Sequence, residues 1–267
     1  MLKTTRVGIF LYLLMLPFAV LAKPGISWHW EDSFSNSQQE KLMEWVEVTI
    51  DGIEKHVSPY PFNLHIYFHK KPYANEPVPW AETERSYQQG VHFFVNPRYS
   101  LNAFLSDWTA PHELSHLLIP HLGNEHSWFA EGFASYMQYQ IMQGMGIISE
   151  AQAKLRYRRS IRKAGNKYDM ENVPFISAIP VLRGRRDFPT MYWGGAVYFL
   201  KVDKALAAQG SSFIEVLSNY LSCCRHKRHG LEDLIKQLDR LSSSQIFSDQ
   251  LATLKETPGF PESSNLL

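Results

Sequence analysis

One short segment constrains this chain more than anything else in it. Pro111-His112-Glu113-Leu114-Ser115-His116-Leu117-Leu118-Ile119 reads H-E-x-x-H within an apolar helical pattern. On a helix, residues i and i+4 lie one above the other, so His112 and His116 can turn both imidazoles toward one point. Two rings at that spacing suit a zinc ion at about 2.0–2.1 Å, and Glu113, rotated by about 100°, stands beside it where it can take a proton from water. Pro120 and Gly123 break the chain, and Trp128-Phe129-Ala130-Glu131-Gly132-Phe133-Ala134 opens a second apolar helix. Returning antiparallel, that helix aims Glu131 at the two histidines. Two histidines and a carboxylate leave the fourth position of a tetrahedral zinc to water, as catalytic sites do. Ile119 and Leu122 stand where a longer H-E-x-x-H-x-x-G-x-x-H motif needs Gly and His, which excludes that class.

H-E-x-x-H followed by W-x-x-E-G-F-A resembles the gluzincin metallopeptidases, in particular the alanyl aminopeptidase and glycyl aminopeptidase families. The resemblance covers roughly residues 101–205 and implies zinc ligands at His112, His116 and Glu131, with Glu113 as general base. In those families a Tyr in a Y-x-x-G context at a helix start stabilises the transition state. Thr190-Met191-Tyr192-Trp193-Gly194-Gly195-Ala196 matches that context, which implies Tyr192 in this role; Gly194 replaces the usual Lys before the second Gly. Upstream there is no G-x-M-E-N, the strand motif that holds a substrate's free amine in alanyl aminopeptidases; Glu82 and Glu84 are the nearest carboxylates for that task. The implied fold is α+β, a thermolysin-like (zincin) catalytic domain with a small mixed-sheet lobe and a helical lobe.

Periodicity gives a compatible organisation. A helix capped by Ser35 or Ser37 runs to about Val57, with Leu42, Trp45, Val46, Ile50 and Ile53 on its apolar face. Residues 62–69 alternate as a strand, with His65, Tyr67 and His69 on its polar face, where a second metal site is conceivable; further strands are expected over 82–88 and 91–96. From Leu101 onward the pattern is helical over 101–119, 127–144, 149–165, 191–208, 211–223, 230–241 and 244–255. Residues 166–190, with Pro174, Pro180 and Pro189, read as a long irregular loop. A single domain over 23–267 is expected, with an α/β lobe over about 23–119 and a helical lobe over about 120–267. His121 and His126 follow the motif as alternative ligands, and Ser135 lies one turn past Glu131.

Residues 1–22 run from Lys3 and Arg6 through an apolar stretch to Ala22, the layout of a secretory signal. Val7–Ala22 is too short, and interrupted by Pro17, for a spanning helix. Export to the periplasm or the extracellular space is the expectation, with no stable membrane span after cleavage. The formal charge of +1 becomes −1 without Lys3 and Arg6, so the chain carries no global nucleic-acid footprint. Locally it is polarised. Residues 31–54 are acidic, whereas Lys154, Arg156, Arg158, Arg159, Arg162, Lys163 and Lys167, then Arg183, Arg185 and Arg186, and 225–229 are basic. Solvated helix faces account for this most simply; an anionic envelope surface or acidic substrate is the sharper reading. Cys223 and Cys224 are adjacent, which excludes a disulfide scaffold and leaves either two thiols or a vicinal or intermolecular bridge. The function expected is peptide-bond hydrolysis by a one-zinc, aminopeptidase-like enzyme. Its rivals are a zinc-stabilised envelope adaptor without chemistry and an amidase acting on a cell-wall amide. Nothing in the sequence sets an oligomeric state.

Overall fold

The computed structural model describes residues 25–85, 88–225 and 230–266; the expected signal segment, and His226 to His229 of the last basic cluster, lie outside them. Four strands, β1 (Ile26–Trp30), β2 (Leu64–Lys70), β3 (Trp80–Arg85) and β4 (Gln89–Val95), form one mixed sheet in the order β1-β2-β4-β3. β1, β2 and β4 run parallel, and β3 pairs antiparallel to β4 at the edge. Alternation decides which face is covered: Leu64, Ile66, Phe68, Val91 and Phe93 are buried, and Trp45 of helix α1 (Asn36–His56) packs on Phe93 at 4.9 Å. Ser35 caps α1 through a reciprocal capping box with Gln38.

The expected helix over 101–119 is two helices, α2 (Leu101–Leu105) and α3 (Thr109–His116). Asp107 causes the break, because its Oδ1 accepts the Thr109 amide at 2.8 Å and starts a new helix. α3 stops at His116, short of Pro120. A 3-10 turn over Asn124–His126 leads into α4 (Ser127–Gly144), followed by α5 (Glu150–Lys167).

The segment 166–190 is not an irregular loop. It holds α6 (Phe175–Gly184) and the first turn of α7 (Phe188–Ala207). Phe175, Ala178, Ile179 and Leu182 recur at helical spacing and are buried, while Pro180 sits on the exposed side. Burial of that stripe outweighs the hydrogen bond the proline forfeits. Pro189 lies in the first turn of α7, where no amide partner is needed. The remaining helices are α8 (Phe213–Cys223), α9 (Leu231–Leu241) and α10 (Ile246–Glu256). Cys223 and Cys224 are joined in a vicinal disulfide at the end of α8, so the two-thiol reading does not hold. Among the described residues no helix is long and apolar enough to cross a membrane.

One contact sets the geometry of the helical part. A Cβ on Gly132 of α4 would fall 2.4 Å from the Gly195 carbonyl carbon of α7, and one on Gly195 would fall 2.2 Å from the Trp128 carbonyl oxygen. The two helices touch backbone to backbone, a separation only glycine permits.

Candidate metal centre

α3 is a two-turn helix buried at almost every position, with Glu113 and nothing else of it half-open. Its C-terminal carbonyls would be orphaned in such a place, and three side chains meet them. Tyr60 donates to the Leu114 oxygen at 2.9 Å, Arg225 Nε to the Leu117 oxygen at 2.9 Å, and Arg85 Nη1 lies 3.4 Å from the His116 oxygen. Two of the three are cations at the negative end of a helix, where its dipole favours them.

α4 packs across α3 and brings Glu131 over the histidine pair. Glu131 Oε2 lies 3.3 Å from His112 Nε2 and 3.6 Å from His116 Nε2, and the ligand atoms of all three residues fall within 4.8 Å of one another. Ligand atoms around a tetrahedral zinc are about 3.4 Å apart, given bonds of about 2.1 Å. The rings are deeply buried, at 5% and 4% exposure, and the carboxylate opens toward solvent at 24%. Gln138, two turns after Glu131 on α4, places Oε1 2.9 Å from His112 Nδ1. An amide oxygen only accepts, so Nδ1 carries the proton and Nε2 turns its lone pair on Glu131.

Acceptors thus face one another across the gap, an arrangement that calls for a cation between them. Without an ion the three groups share a proton instead: burial raises the Glu131 carboxyl, but the His116 and His112 rings outweigh it and hold it well below the usual carboxylate range, and Glu131 in turn raises His112 against its burial. Burial lowers His116, toward the neutral imidazole a ligand must be. The donor set fits one zinc ion.

The group sits in a cleft of about 690 Å³, whose lining includes β3, α3, α4 and the start of α7. Glu113 lines it, and Thr83 of β3 donates to Glu113 Oε2 at 2.7 Å. Tyr192, one turn into α7, lines the same cleft. Burial, reinforced by the charges of Glu131 and Glu113, pushes its phenol well above the usual value, so it stays a donor at neutral pH. The close approach of α4 and α7 at Gly132 and Gly195 is what brings Glu131 and Tyr192 into one cleft.

The five site residues expected from sequence therefore meet. Other expectations separate. His121 and His126 are not part of the ligand group, Glu84 turns away to His92 at 3.7 Å, and Glu82 stands exposed at the cleft rim. Ser135 is buried in the lining. Thr83, Gln138 and Arg85 escaped the sequence reading. Gln138 had a signal, its i+7 spacing from Glu131 on one helix face; Thr83 and Arg85 had only strand alternation. Trp108, with its ring edge-on to His112 at 5.3 Å, and the exposed Trp80 complete an aromatic rim.

No protein-family model matches the sequence, and no curated protein is similar to it. Solved structures are similar in fold. Yeast LTA4 hydrolase in complex with bestatin superposes with a TM-score of 0.61 at 16% identity, over 91% of this chain and 40% of that one. An aminopeptidase N family protein from Idiomarina loihiensis gives 0.57 at 18%, over 88% and 44%. An M1 zinc metallopeptidase from Deinococcus radiodurans gives 0.54 at 14%, over 88% and 49%. The chain spans less than half the length of each of these proteins, and across that span its α+β fold is the one they share.

Proposed function

We propose that this chain is an exported, one-zinc metallopeptidase that hydrolyses peptide bonds in the cleft between β3 and the helices. The observation that carries the reading is the convergence of His112, His116 and Glu131 in a cleft also lined by Glu113 and Tyr192. The solved structures of like fold are described as zinc metallopeptidases and an aminopeptidase, which supports it. A zinc ion held by the three ligands supplies Lewis acidity toward the scissile carbonyl and the attacking water.

The chain's own groups do the rest. Glu113 takes the proton of the attacking water and returns it to the leaving amine. Thr83, donating to one carboxylate oxygen, fixes the Glu113 rotamer and leaves the other oxygen for the water. The Tyr192 hydroxyl donates to the oxyanion. β3 is an edge strand beside the cleft, and its open edge suits an extended peptide backbone. Of β3, Thr83 and Arg85 line the cleft and no G-x-M-E-N precedes the zinc motif, so an aminopeptidase-like cut would lean on Glu82 at the rim.

Residues 1–22 would direct export, the two lobes would meet at the cleft, and the exposed basic positions of α5 are the surface an anionic envelope would meet. Purified zinc-loaded chain and its Glu113→Gln variant, compared on a mixed peptide library, test the activity. The expected result is unchanged zinc content with turnover down about 10²–10⁴-fold, and the product ends tell exopeptidase from endopeptidase. A zinc-bound wild type that cleaves nothing would leave the adaptor reading standing. Mature protein beginning at Lys23 in the exported fraction checks the address.

A further inference from the structure

The outer face of the sheet holds a second concentration of histidine, none of which lines the cleft described above. Register brings it together: His29 of β1 pairs with Tyr67 of β2, which pairs with His92 of β4, and His69 pairs with Phe94. Their rings stack nearly parallel across the strands, at 4.2 Å for His29–Tyr67, 4.1 Å for Tyr67–His92 and 4.3 Å for His69–Phe94. Within this layer two diagonal pairs are each joined by a ring N–H···N hydrogen bond, which a bound ion would replace after a tautomer shift of the donor ring. His29 Nε2 lies 3.1 Å from His65 Nδ1, and His69 Nε2 lies 3.1 Å from His92 Nδ1. All four rings are half-buried, so solvent reaches them.

We infer that each pair is a chelate for a divalent transition-metal ion, with copper(II) the preferred occupant, and that the face takes two such ions independently of the cleft. Two nitrogens bound cis to one metal at about 2.0–2.1 Å are roughly 2.8–3.4 Å apart, from square-planar to tetrahedral angles. Both pairs fall within that window as they stand. Imidazole is a good ligand for zinc, nickel and copper, and copper(II) heads the affinity order among them. The stacked layer holds the rings in place before any ion arrives, so little side-chain freedom is lost on binding.

The surroundings suit a cation. Glu84 Oε2 lies 3.7 Å from His92 Nε2, which favours the proton on that nitrogen and makes Nδ1 the acceptor of the His69 Nε2–H, the place an ion takes once the His69 proton moves to its own Nδ1. Burial, then the His92 ring, lowers His69 and keeps its imidazole neutral for a ligand's role, while Glu31 and Asp32 after β1 draw positive charge and Lys71 opposes them. Each chelate supplies two protein ligands and leaves the other positions to water. An arrangement of that kind binds reversibly at a surface, whereas the cleft adds a carboxylate to its two rings and buries them.

Copper(II) chloride titrated into the zinc-loaded protein in a non-coordinating buffer tests this, read by electron paramagnetic resonance and by metal analysis after desalting. The wild type is expected to take up two copper ions per chain beyond its zinc, each with a two-nitrogen signature. His65→Asn and His92→Asn are each expected to lose one ion, and the double variant both. His29→Gln and His69→Gln repeat the measurement from the partner ring, and circular dichroism confirms the fold. Any other stoichiometry in the wild type, or copper uptake by the double variant equal to that of the wild type, overturns the inference. Peptide hydrolysis does not enter the readout, so failure here and failure of the peptidase reading are separate results.

Discussion

His112 and His116 stand on successive turns of one helix, whereas His29, His65, His69 and His92 are spread over three strands. The first pair is sealed under α4 and shares a carboxylate; the second set lies in an open layer of stacked rings. The difference shows how one residue type acquires two chemistries. Burial with a fixed second partner, Gln138 on His112 Nδ1, sets tautomer and direction in the cleft. On the sheet, ring stacking sets direction, and water keeps access to the nitrogens.

Four variants press on that contrast. Tyr192→Phe removes the phenol donor from the cleft and should lower kcat by about 10²–10³-fold with zinc content unchanged; steady-state kinetics decide it, and an unaltered kcat would strip Tyr192 of its role. Gln138→Leu leaves His112 without its orienting partner and should weaken zinc binding by about 10–100-fold in a competition titration with a chelator. Gly195→Ala drives a methyl group into the Trp128 carbonyl and should cost about 1–3 kcal/mol of stability, visible as a lower denaturation midpoint. Because that contact aligns Glu131 with Tyr192, activity should fall with it. His65→Asn combined with His92→Asn should change peptide turnover by less than about twofold, since neither ring lines the cleft; a large loss would mean that the two regions are coupled.

The same contrast explains what could be read in advance. His112, His116 and Glu131 were legible because helix geometry converts a short spacing into a shared face, and the break at Pro120 and Gly123 left one way for the next helix to return. α1 and α4 were legible for the same reason, and α4 begins and ends where its periodicity does. β1 was not, since a five-residue strand becomes one only through pairing with β2, more than thirty positions away. His29 went unseen with it, so the sheet face showed only His65 and His69. Thr83 and Arg85 were hidden likewise, because strand order decides that β3, rather than β4, borders the cleft. α6 went unread because its prolines looked like breaks, and only the core on its other side explains why the helix survives them.

The glycine contact between α4 and α7 has a mechanical consequence. A seam made of main chain has no rotamer to switch, so these two helices cannot part by a small step to admit a bulkier guest. Any widening of the cleft falls to the strand side, where β3 pairs with one neighbouring strand and meets α3 through the side chains of Thr83 and Arg85. An engineer seeking broader substrate range would therefore leave the helical wall untouched and vary Trp80, Glu82 and the preceding turn.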